Sequence, residues 1–357
     1  MSGRARIAVA MGLAAATWLP LLALAALQGA AALHAFFVDL PMHVRFLFAV
    51  PFLYALEPTR YRHTRSVVRY LDEAAVVRAP QAPRFDAIAA TLERWEGAAA
   101  APIVLALLAF AGSALGMRAG LAAGAPAWIP GGAAGLSLAG WWLAAVSQPI
   151  WLFLLLRWIL AMLLWWRFLW SVSRLDLRLV ATHPDGRGGI GILSIAQMAL
   201  SAVALPVSAM LSAQVAVDML AGRLQLGAVV PDIVAYFVFW GLLFVVPLMF
   251  FTPHLIRAKR EGLIAYGKLG EVLFGGFHDK WAALPTASQR ELLGNVDPSS
   301  LADYGYAYEV LAGMRPVPAG RSDFIVLALF TVVPFLPLLL IQYSVGEILT
   351  RLLGGIS

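Results

Sequence analysis

An arginine in the middle of an apolar run is the side chain in this sequence most able to do chemistry. Arg157 follows the string WLFLLL and precedes WILAMLLWW. An unpaired arginine near the middle of a bilayer costs about 2.5–3.5 kcal/mol on insertion scales, so it should face a helix bundle or a watery cavity. The sequence offers Asp39, Glu57 and Asp232 as its partners. Arg157 is therefore predicted to form an anion site or gate, with a structural ion pair or snorkelling to lipid headgroups as the alternatives.

Two further arginines, Arg45 and Arg167, also lie within apolar runs. Arg167 shares one helix face with Arg174 and Arg178, because spacings of 7 and 11 residues return to nearly the same direction. Both headgroup anchoring and a basic funnel for anions are consistent with this stripe. The predicted pore or substrate residues are Arg157, Arg167, Asp232, Arg45 and Asp39.

An aspartate begins the second apolar run. Asp39 directly precedes Leu40 and Pro41, which is typical of an N-cap followed by a proline in the first helical turn. His43 lies four residues later, where it could form a proton-sensitive pair with Asp39. We favour the N-cap, with the pair as the alternative.

The most distinctive motif is the string THPDGRGGIGIL at residues 182–193. Its Pro-Asp-Gly step predicts a turn, and a helix beginning just after it would present free N–H groups to an anion. The string follows a helix and lacks the Gly-Lys-Ser/Thr end of a phosphate-binding loop. His183 and Asp185 supply two metal ligands, which do not define a site. The motif is interpreted first as a tight turn or hinge and second as a ligand site, with candidate residues His183, Asp185, Gly186, Gly188 and Gly189.

The composition requires that lipid surrounds much of the chain. Apolar residues make up 61% of the 357 residues and charged residues 13%, about half the charged share of soluble domains. Seven apolar runs approach the roughly 20 residues needed to cross a bilayer, which predicts an all-α, polytopic bundle of transmembrane helices. The runs are residues 7–29, 37–57, 99–117, 149–171, 190–215, 230–252 and 324–343.

The basic residues predict the orientation of these runs. Twenty of the 26 Lys and Arg residues fall before the first run or after the second, fourth and sixth runs. All four stretches lie on one side of an alternating seven-span arrangement, so the positive-inside rule predicts a cytoplasmic N-terminus and an outer C-terminal tail. Arg outnumbers Lys 23 to 3, which suggests a GC-rich bacterial genome and hence the bacterial inner membrane. Scattered between membrane runs, this charge does not predict nucleic-acid binding.

Two segments leave the number of spans between six and eight. The first run has a basic start and an Ala-rich end, so cleavage as a signal peptide is an alternative to a permanent span. Residues 119–156 contain no charged residue. Within them, the Gly- and Pro-bounded part at 131–148 could cross, re-enter or lie on the membrane. The charge asymmetry survives most of these alternatives.

Two polar regions are predicted to be cytoplasmic and helical. The basic loop at 58–98 contains Phe85, Ile88, Leu92 and Trp95 at helical spacing, so an amphipathic helix there should pack on the bundle or touch anionic headgroups. The second region, 253–322, is predicted to be a small helical module docked on the spans or on a neighbouring subunit. The predicted organisation is spans one and two at 1–57, the loop at 58–98, spans three to six at 99–252, the module at 253–322, and the last span with an outer tail at 323–357.

Three strings resemble an uncharacterised family of bacterial polytopic membrane proteins. They are LDLRLVATHPDGRGGIG, FTPHLIRAKREGLIAYGKLG and LLGNVDPSSLADYGYAYEVLAGMRPVP, which together cover much of the middle and C-terminal half. The first contains the pattern THPD-x-x-GG-x-G. The resemblance implies a bacterial cytoplasmic membrane and a shared turn and module, but no activity, cofactor or site residue.

An ion channel or transporter with a preference for anions is the function that the buried arginines favour, with a homo-oligomer, the lipid bilayer and a small anion as partners. A non-transporting scaffold, sensor or assembly factor is the alternative, in which the 253–322 module binds a cytoplasmic protein. A membrane-embedded enzyme is the third hypothesis, because the sequence has no HExxH, GxSxG or paired-carboxylate motif in a span. No cofactor is predicted, and the absence of cysteine excludes disulfides and thiolate chemistry.

Overall fold

The computed structural model describes residues 3–131, 135–282 and 296–343. Within these ranges the chain is helical and contains only two isolated β-bridges, which confirms the predicted all-α class. The predicted outer tail after residue 343 and part of the predicted module, 283–295, lie outside the described residues.

Among the described residues seven helices are long and apolar enough to cross a membrane, as predicted, so the protein is a multi-pass membrane protein. These spans are α1 (Gly3–Leu27), α3 (Leu40–Glu73), α5 (Ala100–Ala122), α6 (Leu138–Val172), α7 (Leu193–Leu220), α8 (Leu226–Met249) and α11 (Arg321–Gln342). The other helices are α2 (Ala30–Phe37), α4 (Ala82–Glu96), α9 (Thr252–Phe277) and α10 (Asp297–Ala312).

Two spans are longer than the apolar runs that predicted them. Helix α3 continues through the polar residues 58–73, so the first part of the predicted loop is helical. In this polar half of α3 the side chains of Val67 and Leu71 are buried. Their burial stabilises a helical segment that contact with lipid alone would not stabilise. Residues from Leu138 onward form the first turns of α6 and are not a separate re-entrant helix.

Helices α3 and α6 lie side by side and run in the same direction. Arg45 Nη1 donates to Gln148 Oε1 at 2.7 Å, and further along Trp158 Nε1 donates to the Leu53 carbonyl at 3.2 Å. Each helix contains one π-helical stretch near its start, at Val44–Ala49 and Leu143–Ser147. π-helical turns inside α-helices are frequent at functional sites, which directs attention to this helix pair. We call the end at which α3 and α6 finish the basic end.

Helix α4 returns from the basic end and packs along α6. Phe85 and Leu92 are buried, and the Phe85 ring lies 6.3 Å from that of Phe168 in an edge-on contact. Trp95, on the same predicted face, is 52% exposed. The amphipathic helix therefore packs on the bundle, as favoured from its spacing, and brings the charged end of α4 beside α3.

Helices α9 and α10 form a module at the basic end. The Tyr304 ring stacks between those of Tyr266 and Tyr308, with centroids 6.0 and 6.2 Å away. The Tyr304 hydroxyl donates to the Tyr266 carbonyl at 2.5 Å, against the open backbone of Gly270. Tyr306 points away and is 68% exposed.

Candidate functional site

Arg157 lies in a network of four charged side chains contributed by α3, α4 and α6. Of the three partners that the sequence offered, Glu57 is the one in contact with Arg157. The same carboxylate lies 3.7 Å from Arg60, and Arg60 lies 3.6 Å from Glu96. We call Arg157, Glu57, Arg60 and Glu96 the inner network. Its two positive and two negative groups balance in charge.

The members of the inner network differ in their access to a ligand. The Arg60 side chain is 8% exposed and that of Glu57 is 16% exposed, whereas the Arg157 side chain is 49% exposed. The Arg60 guanidinium carbon also lies 5.8 Å from the ring centroid of Trp158, close enough for a cation–π contact. Arg60 is thus held on several sides, and Arg157 has hydrogen-bond donors left for another acceptor.

Two cavities meet at the Glu57–Arg157 pair. The first, of about 430 Å³, is polar at its walls and is lined by Glu57, Pro58, Arg60, Tyr61, Glu96, Arg157, Leu160, Ala161 and Leu164. The second, of about 460 Å³, is lined by Leu13, Tyr54, Glu57, Ala106, Ala109, Phe110, Ala145, Val146, Pro149, Ile150, Phe153, Leu154 and Arg157. Each volume falls within the range of small-molecule sites. The ion pair therefore lies between the first cavity, which we call the polar chamber, and the second, which we call the apolar chamber.

A third cavity extends the polar chamber toward the basic end. It has a volume of about 1000 Å³ between α3 and α4, and it shares Tyr61 and Glu96 with the polar chamber. Among its lining residues are Arg62, Arg65 and Arg69. Burial raises the pKa of the Glu96 carboxyl above its usual range, although Arg60 and Arg65 oppose this shift. The lining of the third cavity also contains Asp72, Asp86, Glu93 and Glu96, so basic and acidic groups together line it between the basic end and the polar chamber.

Arg45 and Asp39 belong to a second polar layer nearer the start of α3. Besides the Arg45–Gln148 hydrogen bond, Asp39 accepts from the Met42 amide at 3.3 Å, which is the predicted N-cap. Asp39 also accepts from the Trp128 indole at 3.2 Å. His43 instead accepts from the Trp18 indole at 2.9 Å. Capping therefore explains Asp39, and its ligand-binding role stays a prediction.

Arg167 and Asp232 lie apart from the inner network. Arg167 is exposed on α6 and lines a cavity of about 200 Å³ together with Ile88 and Trp95 of α4. Asp232 is exposed near the start of α8. Within the described ranges neither forms an ion pair. Of the five predicted pore residues, all of which the structure describes, Arg157 is the one that belongs to the inner network.

Two members of the network, Arg60 and Glu96, were not identified from the sequence. Both fall in the polar segment that was assigned to a loop outside the bilayer. The spacing of three residues between Glu57 and Arg60 is a local signal for an ion pair once α3 is extended. Glu96 has no such signal, because its position depends on how α4 returns along α6.

The glycine-rich motif folds around the carboxylate of Asp185. Asp185 Oδ1 accepts from the amides of Arg187 at 2.7 Å and Gly189 at 3.2 Å, and Oδ2 accepts from the Gly191 amide at 2.9 Å. His183 Nδ1 lies 2.9 Å from Oδ1. The sequence suggested an external anion at the N–H groups of the helix that follows the glycines, which begins at Leu193. Asp185 instead accepts from N–H groups of the turn that precedes this helix.

The same turn connects the spans to the module. The Arg315 amide donates to the Gly186 carbonyl at 2.9 Å. The Arg187 side chain reaches Ser194 at 3.3 Å and Asp323, at the start of α11, at 3.9 Å. The turn therefore acts as a structural joint between α6, α7 and α11, in keeping with the first interpretation of the motif.

Replacing Gly188 by alanine is expected to destabilise the protein more than the same change at Gly186. Both have positive φ, +67° and +62°, so each alanine costs about 1 kcal/mol of backbone strain. A Cβ at Gly188 would also approach Leu179 and Met314 at 3.1 Å, whereas nothing lies within 4 Å at Gly186. We expect a loss of about 2 kcal/mol for Gly188→Ala. Denaturation of both variants in detergent tests this, and equal losses would contradict the close packing of Gly188.

Comparisons of the chain with protein-family models, with curated proteins and with solved structures each found no match. The function of the chain is therefore inferred from its helices, charged network and cavities.

Proposed function

We propose that the protein is a membrane carrier for anions and that Arg157 is the group that binds them. The observation that carries this proposal is the position of the Glu57–Arg157 pair in the wall shared by the polar and apolar chambers. An ion pair at such a boundary can open when a second anion competes for the arginine. A carrier is favoured over an open pore because the chamber beyond the pair is lined mainly by apolar side chains.

Binding proceeds by exchange of one carboxylate for another anion. Glu57 pairs with both Arg157 and Arg60, and Glu96 supplies the second negative charge of the network. An incoming anion accepts hydrogen bonds from the half-exposed Arg157, and Glu57 stays with the buried Arg60. Charge-assisted hydrogen bonds of this type are about twice as strong as neutral ones, so the exchange gives selectivity for negative charge.

The two π-helical stretches supply the places at which α3 and α6 can change shape. Each stretch adjoins a proline, Pro51 in α3 and Pro149 in α6. Proline and π-helical turns both weaken the regular hydrogen-bond ladder of a helix. Bending there would move the apolar chamber relative to the polar one, which is what alternating exposure of a site requires.

The proposed location is the bacterial cytoplasmic membrane, with the N-terminus and the basic end in the cytoplasm. The support is the excess of arginine in the segments that join the spans at that end. A homo-oligomer remains part of the proposal. In this orientation the third cavity, which is lined by both arginines and carboxylates, opens toward the cytoplasm.

Replacing Arg157 by glutamine is expected to abolish most anion uptake. Purified protein in liposomes is given radiolabelled inorganic phosphate or ethanesulfonate, both of which stay ionised near neutral pH. Saturable uptake of at least one probe is expected, with a loss of about tenfold or more in Arg157→Gln, because a charge-assisted contact is removed. The matched control is Arg118→Gln, an exposed arginine on α5 outside the network.

Equal uptake by wild type and Arg157→Gln would remove the assigned role of Arg157. Absence of uptake by a folded wild-type protein would favour the alternative of a scaffold, sensor or assembly factor. That alternative is supported by the exposed side chains of the module, among them Tyr306 on α10 and Val272, 71% exposed, on α9.

A further inference from the structure

The apolar chamber has space because small side chains face it. Ala106 and Ala109 of α5 and Ala145 of α6 lie in its wall, together with Pro149 beside the π-helical stretch. A chamber of about 460 Å³ whose lining is apolar apart from Tyr54, Glu57 and Arg157 offers few hydrogen-bonding groups to a small hydrated ion. An inorganic anion at Arg157 would leave it unused.

The charge of the chamber is confined to one boundary. Of its lining residues only Glu57 and Arg157 are charged, and both also line the polar chamber. A ligand that fills both chambers must therefore carry its charge at one end and an apolar body at the other. The half-exposed arginine sets the sign of that charge as negative, because Glu57 is already shared with Arg60.

The rim of the apolar chamber faces the surroundings of the bundle. Phe110, which lines it, is 52% exposed, and the neighbouring Leu107 of α5 is 66% exposed. On a membrane-spanning helix such a face contacts lipid tails. An apolar chain can thus enter from the bilayer with its headgroup directed to the polar chamber.

We infer that the ligand of this site is a single-chain amphipathic anion, with its carboxylate, sulfonate or phosphate head at Arg157 and its chain in the apolar chamber. The inference rests on the proposed anion site and adds the class of molecule that the site accepts. Binding energy then comes from two separable parts, the charged head and the buried methylene groups, each methylene contributing about fourfold in affinity.

A cavity-filling variant tests the inference. Ala106→Phe places a ring in the apolar chamber without replacing a charged residue. Ala111→Phe, an exposed position on the same helix that does not line the chamber, is the matched control. Ala145→Phe fills the chamber from the opposite wall and serves if Ala106→Phe folds poorly.

Binding of radiolabelled dodecylsulfonate is measured in nanodiscs, with protein-free discs to subtract partition into lipid. Ala106→Phe is expected to weaken binding by about tenfold or more, since several methylenes lose their place, and Ala111→Phe by less than about twofold. Dodecyltrimethylammonium and dodecanol should compete more weakly than unlabelled dodecylsulfonate, because they keep the chain but lack the anionic head. If a lysophosphatidate built into the disc competes with dodecylsulfonate, the anion is assigned to a membrane lipid. If it does not compete, the anion is assigned to a free molecule.

The outcomes separate this inference from the proposed function. If ethanesulfonate is taken up in an Arg157-dependent manner and Ala106→Phe binds dodecylsulfonate as Ala111→Phe does, the anion site stands and the chain-binding chamber is wrong. If dodecylsulfonate binds equally to wild type and Arg157→Gln, the headgroup assignment is overturned. If the wild type binds no dodecylsulfonate but takes up phosphate or ethanesulfonate in an Arg157-dependent manner, this inference fails alone; if it does neither, both proposals fail.

Discussion

Replacing Glu57 by glutamine is expected to lower the free energy of unfolding by about 3 kcal/mol, because it leaves a buried arginine short of its counter-ion. Glu57 is the carboxylate that Arg157 and Arg60 share. Arg157 is half exposed and can be compensated by water or headgroups, so its share of the loss is small. Arg60, at 8% exposure, cannot be compensated in this way and keeps one carboxylate, Glu96 at 3.6 Å, in place of two.

Two variants distinguish a buried network from an ordinary ion pair. Glu93→Gln breaks the exposed Arg65–Glu93 pair, with a separation of 3.3 Å, and is expected to cost less than about 1 kcal/mol. The double variant Glu57→Gln/Arg157→Gln restores charge balance and should be more stable than Glu57→Gln alone, which is a non-additive result. Unfolding in detergent, followed by tryptophan fluorescence, measures all of these. A cost of Glu57→Gln no larger than that of Glu93→Gln would contradict the buried network.

The double variant also separates stability from transport. It keeps the Arg60–Glu96 contact and removes both sides of the ion pair at the chamber wall. A folded double variant without anion uptake would assign the loss to the binding site and not to unfolding.

Hydropathy predicted the membrane helices well because the length and apolarity of a run decide whether it can cross a bilayer. It ended the second span near residue 57, whereas α3 continues to Glu73. The polar half of α3 is stabilised by contacts with other helices, including burial of Val67 and Leu71. Such contacts depend on tertiary structure, which the average hydropathy of a segment does not report.

The sequence predicted the part of the site that depends on one residue alone. The free-energy cost of an unpaired charge in an apolar run does not depend on the fold. Arg157 was identified because a charge in an apolar run needs a partner, and Glu57 was among the three partners considered. The choice among Glu57, Asp39 and Asp232 requires the register of α3 against α6. Prediction of Glu96 as a member of the network requires in addition the knowledge that α4 returns along α6.

The glycine-rich motif shows the same division between local and tertiary information. Its glycines correctly predicted a tight turn, since Gly186, Gly188 and Gly189 all have positive φ. The sequence suggested an external anion at the start of the following helix and did not consider an acceptor for the amides of the turn. The acceptor is Asp185, within the motif, and its three backbone hydrogen bonds could not be assigned from spacing alone.

Replacing Asp185 by asparagine is expected to lower the free energy of unfolding by about 3 kcal/mol near neutral pH, because hydrogen bonds to an ionised group contribute about 1.5–3 kcal/mol each and are not fully additive. Asparagine retains one oxygen, so it can satisfy the amides of Arg187 and Gly189, or that of Gly191, but not both sets. Its amide N–H₂ would face the remaining donor. Loss of the turn should also loosen the contact between Gly186 and Arg315 that holds the module.

The pH dependence of this loss provides a second, independent measurement. Burial raises the pKa of the Asp185 carboxyl, but the backbone hydrogen bonds from Arg187, Gly191 and Gly189, together with His183, outweigh burial and lower the pKa below its ordinary value. Folding therefore favours the ionised form. The stabilisation is complete above the ordinary aspartate pKa of about 3.9 and is lost as the pH falls through the lower value of the folded state.

The difference in stability between wild type and Asp185→Asn should consequently be largest near neutral pH and shrink in acid, because only the wild type loses the ionised acceptor. Denaturation of both proteins between about pH 7 and pH 3 measures this difference, and other titrating groups cancel in the subtraction. Asp86→Asn, an exposed aspartate of α4, is the control and should show only a small difference in stability from the wild type. A difference for Asp185→Asn that stays constant down to acid pH would mean that the carboxylate charge does not hold the turn, and that shape alone does.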